Sequence, residues 1–279
     1  KHLKISEKMN ILNRELQRHQ RNLNEDEKGK CITNFHGLIG FPHCCSLFAG
    51  DINLFNRGPK FFRSPAKLFA ENIAKLEDTR FLSLAFLFCN NGKIQEGFLS
   101  LETMTESGKH LLMELVARLH ISETKADMTL LRDIYDDFLG LYVVKSSSYY
   151  IRFSHPTVYE AVGQVLGDRC IETVVKYSNS EYLYQRTYTA KVKDRSLQNI
   201  FIPASVYGIL AERMVDDVIK ERLVRRVVKH SAFKQHQFLL KLKDELNKGE
   251  KNRDFFVGAS HSWFISIDYF TDYLNCLQW

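Results

Sequence analysis

No apolar run in this chain reaches the length of a membrane span, and "KHLKISEKMN" at its start holds no signal-peptide core. Its six cysteines, at 31, 44, 45, 89, 170 and 276, include no C-x-x-C pair. Neither they nor the ten histidines cluster at the short spacings a zinc site needs. Free thiols in a reducing cytosol are the expectation. There is no G-x-x-x-x-G-K-[ST] phosphate loop, no G-x-G-x-x-G after a strand, no G-x-S-x-G elbow and no H-E-x-x-H. Asp136 and Asp137 are adjacent and so cannot face each other as a catalytic pair. Nucleotide hydrolysis needs a phosphate cradle, a lysine and a metal-holding carboxylate, so these residues alone are not expected to form an autonomous enzyme.

What is present is ordinary for a folded protein: 279 residues, 44% hydrophobic and 26% charged, enough for two or three small domains or one large core. The net charge of +6 comes from Lys and Arg interleaved with Asp and Glu, which reads as a solvated surface rather than a nucleic-acid patch. The first residue is Lys, which suggests a fragment of a longer protein.

Helical periodicity dominates. Met9, Leu12 and Leu16 share one face of a first helix, and Asn24 caps a second that Gly37 or Gly40 would stop. A short helix follows to about Phe48. "SPAKLFAENIAKLED" has Ser64 as cap, Pro65 in the first turn and Leu68, Phe69, Ile73 and Leu76 on one face. "TRFLSLAFLFCNNG" is apolar nearly all round and predicts a buried helix, and residues 108–120 predict an amphipathic one. Then Leu130, Leu131, Ile134, Tyr135 and Phe138 form a helical face with Gly140 suited to the helix stop. "LYVV" and "YYIRF" predict a hairpin. A further helix opens at Pro156 with Val158, Ala161, Val162, Val165 and Leu166 on one side. Helix, helix, hairpin, helix is a winged-helix order. "NIFIP" predicts an extended segment between further helices, and residues 250–279 yield no assignment. The fold class expected is mainly α: a helical lid subdomain over 1–100, a winged helix-turn-helix with a short β-hairpin over 101–176 and a further helical region over 177–279.

Two short motifs carry possible chemistry. In "GFPHCC", Gly40 permits close backbone approach and Pro42 presents a flat ring at a helix start, with Phe41 between them. Such a corner can lie against a planar ligand such as a nucleobase, but on these three residues alone a plain helix–helix turn is the favoured reading. In "FSHPTVYEAV", His155 precedes the first turn of a helix, where free N–H groups and the positive dipole end favour phosphate. An imidazole there also suits a plain cap of its own helix, and Glu160 one turn on reads as a first-turn acid.

Together, in this order, the segments "GFPHCCSLFAGD", "NRGPKFFRSPAKLFAENIAKLED", "LLRDIYDDFLGLYVV", "IRFSHPTVYEAV" and "FIPASVYGILAERMVDDV" resemble the C-terminal part of the nucleotide-binding module of STAND-class P-loop NTPases. These are signal-transducing relatives of AAA+ and NACHT proteins, and the similarity, over roughly residues 38–230, is greatest to the novel STAND NTPase type expanded in invertebrates. The resemblance implies a P-loop core, a helical lid, a winged helix and further helices. It implies that Gly40, Phe41 and Pro42 form the adenine side of the site and that His155 reaches the β-phosphate of ADP in a closed state. The two cysteines behind Pro42 would be small buried fillers. The family's phosphate loop, metal-holding acids and sensor arginine are expected N-terminal to residue 1. ADP or ATP, with Mg2+ on that core, would then belong to the full-length protein, an ATPase if its core is intact, with no cofactor expected for this stretch alone. The implied role is the regulatory part of a cytoplasmic signalling switch, in innate immunity on the family's pattern. Its partners would be a P-loop core in cis and, on activation, further copies of itself.

Two alternatives from other classes remain: a winged-helix nucleic-acid module and a ligand-free helical adaptor. Against the former, Asp127, Asp133, Asp136 and Asp137 lie on or beside the candidate recognition helix, where they would oppose phosphates.

Overall fold

The computed structural model describes residues 3–35, 40–99, 103–121, 128–146, 149–189, 199–221, 224–227 and 229–248. The expected stop at Gly37, the acid Asp127, Cys276 and the segment 250–279 lie outside them, as does the side chain of Leu130. The fold is mainly α with a short antiparallel hairpin. Its contacts divide it into two compact units, 1–170 and 171–279.

In the first unit, α1 (Ile5–Arg18) buries Leu12 and Leu16. A reciprocal capping box then starts α2 (Glu25–Thr33): the Glu27 N–H donates to Asn24 Oδ1 at 2.9 Å and the Asn24 N–H to Glu27 Oε2 at 3.0 Å. α3 (Phe41–Gly50) has Gly40 at its N-cap and Pro42 in its first turn, and runs slightly beyond the expected Phe48. A four-residue helix, α4 (Ile52–Phe55), and a 3-10 turn over Gly58–Arg63 lead into α5 (Pro65–Ala74). Ser64 stands at the N-cap of α5, yet its side chain makes no capping bond, contrary to expectation, and Leu76 lies beyond the helix end. Pro65 makes the bond less necessary, since its missing N–H removes one of the orphan donors. α6 (Asp78–Cys89) is buried from Phe81 to Cys89 on every face, as its apolar run predicts.

After α6 come β1 (Lys93–Gln95), α7 (Glu106–Arg118), α8 (Met128–Asp137), β2 (Val143–Lys145) and β3 (Tyr150–Phe153). The sheet order is β1-β3-β2, with Ile94 opposite Ile151 and Val143 opposite Phe153. The hairpin is the predicted one; the third strand is additional, and it draws Lys93–Gln95 into the same sheet from the other side of residue 100. Gly140 has φ +82°, the left-handed conformation its position required. α9 (Pro156–Arg169) buries Val158, Ala161, Val162, Val165 and Leu166, the face read from the sequence.

Polar contacts tie these helices together. Asp51 caps α4 through one carboxylate oxygen, accepting from the Asn53 and Leu54 N–H groups at 2.8 and 3.1 Å. Its other oxygen accepts from Asn72 Nδ2 on α5 at 2.6 Å and from the Tyr142 hydroxyl at 3.1 Å. All three side chains are buried, and burial with a neighbouring carboxylate pushes the Tyr142 phenol well up. The Tyr135 hydroxyl donates to the Ser83 carbonyl at 2.6 Å, joining α8 to α6. Tyr159 stacks on Phe88 with ring centroids 4.5 Å apart, joining α9 to α6.

The second unit holds α10 (Ile171–Tyr177), α11 (Ser180–Arg186), α12 (Tyr207–Glu221), α13 (Val224–Val227) and α14 (His236–Asn247). The extended "NIFIP" becomes β5 (Ile200–Phe201), which pairs in parallel with β4 (Thr187–Tyr188). Its core gathers Leu183, Ile202, Leu210, Met214, Phe238 and Leu242. Arg213 is bound to Asp217 at 2.8 Å and donates to the carbonyls of Lys176 and Ser178, which closes the end of α10.

Candidate functional site

The "GFP" corner opens α3 and His155 opens α9, and the fold brings the two helix starts together. His43, one residue past Pro42, lies face to face with His155: the imidazole centroids are 3.9 Å apart and the planes 22° apart. Both rings are half-buried. Proline follows each N-cap closely, at position 42 in α3 and 156 in α9.

The three corner residues have different surroundings. Pro42 is exposed. Phe41 is 2% exposed and packs edge-on to Phe35 at 5.2 Å and against Phe62 at 5.8 Å, with Lys8 Nζ 5.5 Å from its ring centre. Its ring anchors the corner from beneath rather than facing outward. At Gly40, φ is −58° and an added Cβ would meet only Pro42 Cδ, at 3.9 Å. Neither backbone strain nor a neighbouring atom of the described fold demands glycine there. The first turn of α3 has no side-chain cap.

His155 caps α9 with its own ring. Nδ1 accepts the Thr157 N–H at 3.2 Å and lies 3.0 Å from Thr157 Oγ1. The plain-cap reading therefore holds for Nδ1. An Nδ1 that accepts is unprotonated, so the neutral ring carries its proton on Nε2. Nε2 has no hydrogen-bond partner among the described residues. The sequence led us to expect free N–H groups at the start of α9. Instead Pro156 has none, Thr157 N–H is taken by the His155 ring and Val158 N–H is bonded to the His155 carbonyl at 3.0 Å. Among the described residues, the Nε2–H of His155 is a side-chain donor at this helix start with no partner.

Burial lowers the pKa of His155, and Glu160 one turn on opposes the shift. His43 is pushed down to about 4, by burial first and by His155 second. Its Nε2 is buried and has no hydrogen-bond partner. Sequence reasoning missed His43 because a histidine inside a helix carries no signal of its own; only adjacency to the proline corner could have pointed to it.

The cysteines behind the corner are inert. Cys44 and Cys45 are fully buried, and burial pushes the Cys44 thiol up to about 12 and Cys45 higher still. Cys31, Cys44, Cys45, Cys89 and Cys170 form no disulfide. Among the described residues, no group of three or more His, Cys, Asp and Glu could hold a metal ion. A polar cavity of about 310 Å3, lined by Arg21, Lys28 and amides of α1 and the following loop, includes none of the candidate residues. Among the described residues no helix is long and apolar enough to cross a membrane.

On the winged-helix side, the acids of α8 are exposed; Asp136 pairs with Lys145 at 2.8 Å and Asp137 with Arg80 at 3.1 Å.

Comparison of the chain with protein-family models, curated proteins and solved structures finds no match.

Proposed function

We propose that residues 1–170 form the regulatory cover of a STAND-type nucleotide switch, closing over ADP or ATP held by a P-loop core in the same polypeptide. The observation that carries this reading is the stacked pair His43–His155, which sets the glycine–proline corner of α3 beside the open imidazole edge at the start of α9. A purine needs a flat apolar neighbour with room for close approach, and exposed Pro42 beside the open Cβ direction of Gly40 supplies that. Phe41 supports the corner from the core. A diphosphate needs a donor in a partly desolvated, electropositive setting; His155 Nε2–H at the dipole end of α9 provides one. The nucleotide supplies the contact that differs between open and closed states, while Mg2+ belongs to the core's own acids.

In this reading ADP holds the cover shut, and exchange for ATP or a partner swings it away to expose a surface for homo-oligomers. The two states need differ by only a few kcal/mol for such a bias. Thiols outside any disulfide, all but Cys170 buried among the described residues, suit a cytoplasmic setting, and a signalling role, in innate immunity on the family's pattern, follows the resemblance. Hydrolysis, if the full-length protein performs it, rests with the core. A nucleic-acid module is the weaker reading, since Asp133, Asp136 and Asp137 lie exposed on α8, where phosphates would have to approach.

The test is ADP release from the full-length protein. His155→Ala removes one hydrogen bond to a charged group, so release should accelerate by about 10- to 100-fold. An unchanged off-rate contradicts the assignment.

A further inference from the structure

We infer that His43, which no motif singles out, is a positioning residue for His155: its ring, packed flat on the His155 ring, fixes the plane of the phosphate-facing imidazole and couples α3 to α9. Two restraints are needed to orient an imidazole. The bond from Thr157 N–H to Nδ1 decides which edge faces the helix. It leaves the ring free to swing about that bond. The His43 face, 3.9 Å away and tilted by 22°, removes that freedom. Because His43 belongs to α3 and His155 to the cap of α9, the same contact joins the proline corner to the phosphate sensor.

The arrangement works with neutral rings. A proton on His43 would place charge next to a buried Nε2 that has no acceptor, and against the face of a second imidazole. A proton on His155 Nδ1 would break the cap on Thr157. The charged group acting on His155 from its own helix is Glu160, which favours protonation; the group acting on His43 is His155 itself. Separating α3 from α9 relieves both rings and lets them take up protons. Mild acid therefore opens the contact, by up to tenfold in the closed-to-open ratio per pH unit for each ring that titrates between the two states. The link to nucleotide retention rests on the proposed function; the link between the two rings does not.

The experiment is imidazole NMR on the 279-residue chain, reading the tautomer and titration of His155 in wild type, His43→Ala and His43→Phe. His43→Ala should raise the His155 midpoint toward 6.5 and mix its tautomers, whereas the flat ring of His43→Phe should hold both near wild type. If His43→Ala fails to fold, His43→Gln, which offers no ring, replaces it in the same comparison with His43→Phe. A ringless variant that leaves His155 unchanged overturns the inference, and so does a His43→Phe variant that behaves like it. In the full-length protein, ADP release should accelerate several-fold with His43→Ala and stay near wild type with His43→Phe. Absence of ADP binding by the wild-type protein would overturn the nucleotide reading while leaving the NMR result standing.

Discussion

His155 and His230 do the same local job in different regions of the molecule, yet only one has an edge left over. His230 caps the 3-10 turn Ser231–Lys234, accepting the Ala232 N–H on Nδ1 at 3.3 Å. Its Nε2 lies 3.0 Å from Thr187 Oγ1 and 3.1 Å from the Thr187 carbonyl, and the residue is 4% exposed. Every polar atom of that ring is used, so it is a structural histidine. His155 makes the same Nδ1 cap, is half-buried, and leaves Nε2 without a partner among the described residues. Burial lowers both pKa values, so the shift does not separate them. The use of the second nitrogen does.

That contrast can be broken by measurement. The largest effect should come from His230→Ala, which takes the ring from the buried Ala232 N–H and the Thr187 carbonyl: about 2–3 kcal/mol of unfolding free energy by urea denaturation. His155→Ala should cost about 1 kcal/mol, an ordinary lost cap. Equal losses would erase the distinction between a closed and an open ring.

Acid should act next. His43 and His230, held neutral with midpoints near 4, bind fewer protons folded than unfolded below pH 6.5. The stability gained by keeping them neutral is complete above 6.5 and is lost as the pH falls toward 4. His43→Phe should flatten that pH dependence in thermal melts, and an identical slope would contradict its burial in the neutral form. Tyr142→Phe, removing a hydroxyl bound to Asp51, should cost about 1 kcal/mol without altering ADP release, marking a satisfied cluster as structural like His230. The smallest stability change should belong to His155→Asn, since asparagine caps as well as any residue and should return the chain to within about 0.5 kcal/mol of wild type.

The sequence shows the helices wherever local chemistry decides them. Asn24, Pro65, Gly140 and the apolar stripe of α9 act within a turn or two of themselves. The third strand was not legible, because Lys93–Gln95 is too short to show a period and becomes a strand only by pairing with Tyr150–Arg152 far along the chain. The parallel pair of Thr187–Tyr188 with Ile200–Phe201 escaped for the same reason. At the candidate site, the proline corner and His155 could be read from motifs, but their meeting through His43 is a tertiary event. The capping of α9 by His155 was legible only as one of two options, since a histidine before a proline fits either.

ADP dissociation from full-length wild type, His155→Ala and His155→Asn tests the central claim most directly. If the free edge of His155 holds the β-phosphate, both variants release ADP about 10- to 100-fold faster, although asparagine restores the cap and the stability. If asparagine also restores the slow release, His155 only builds its helix and the account fails.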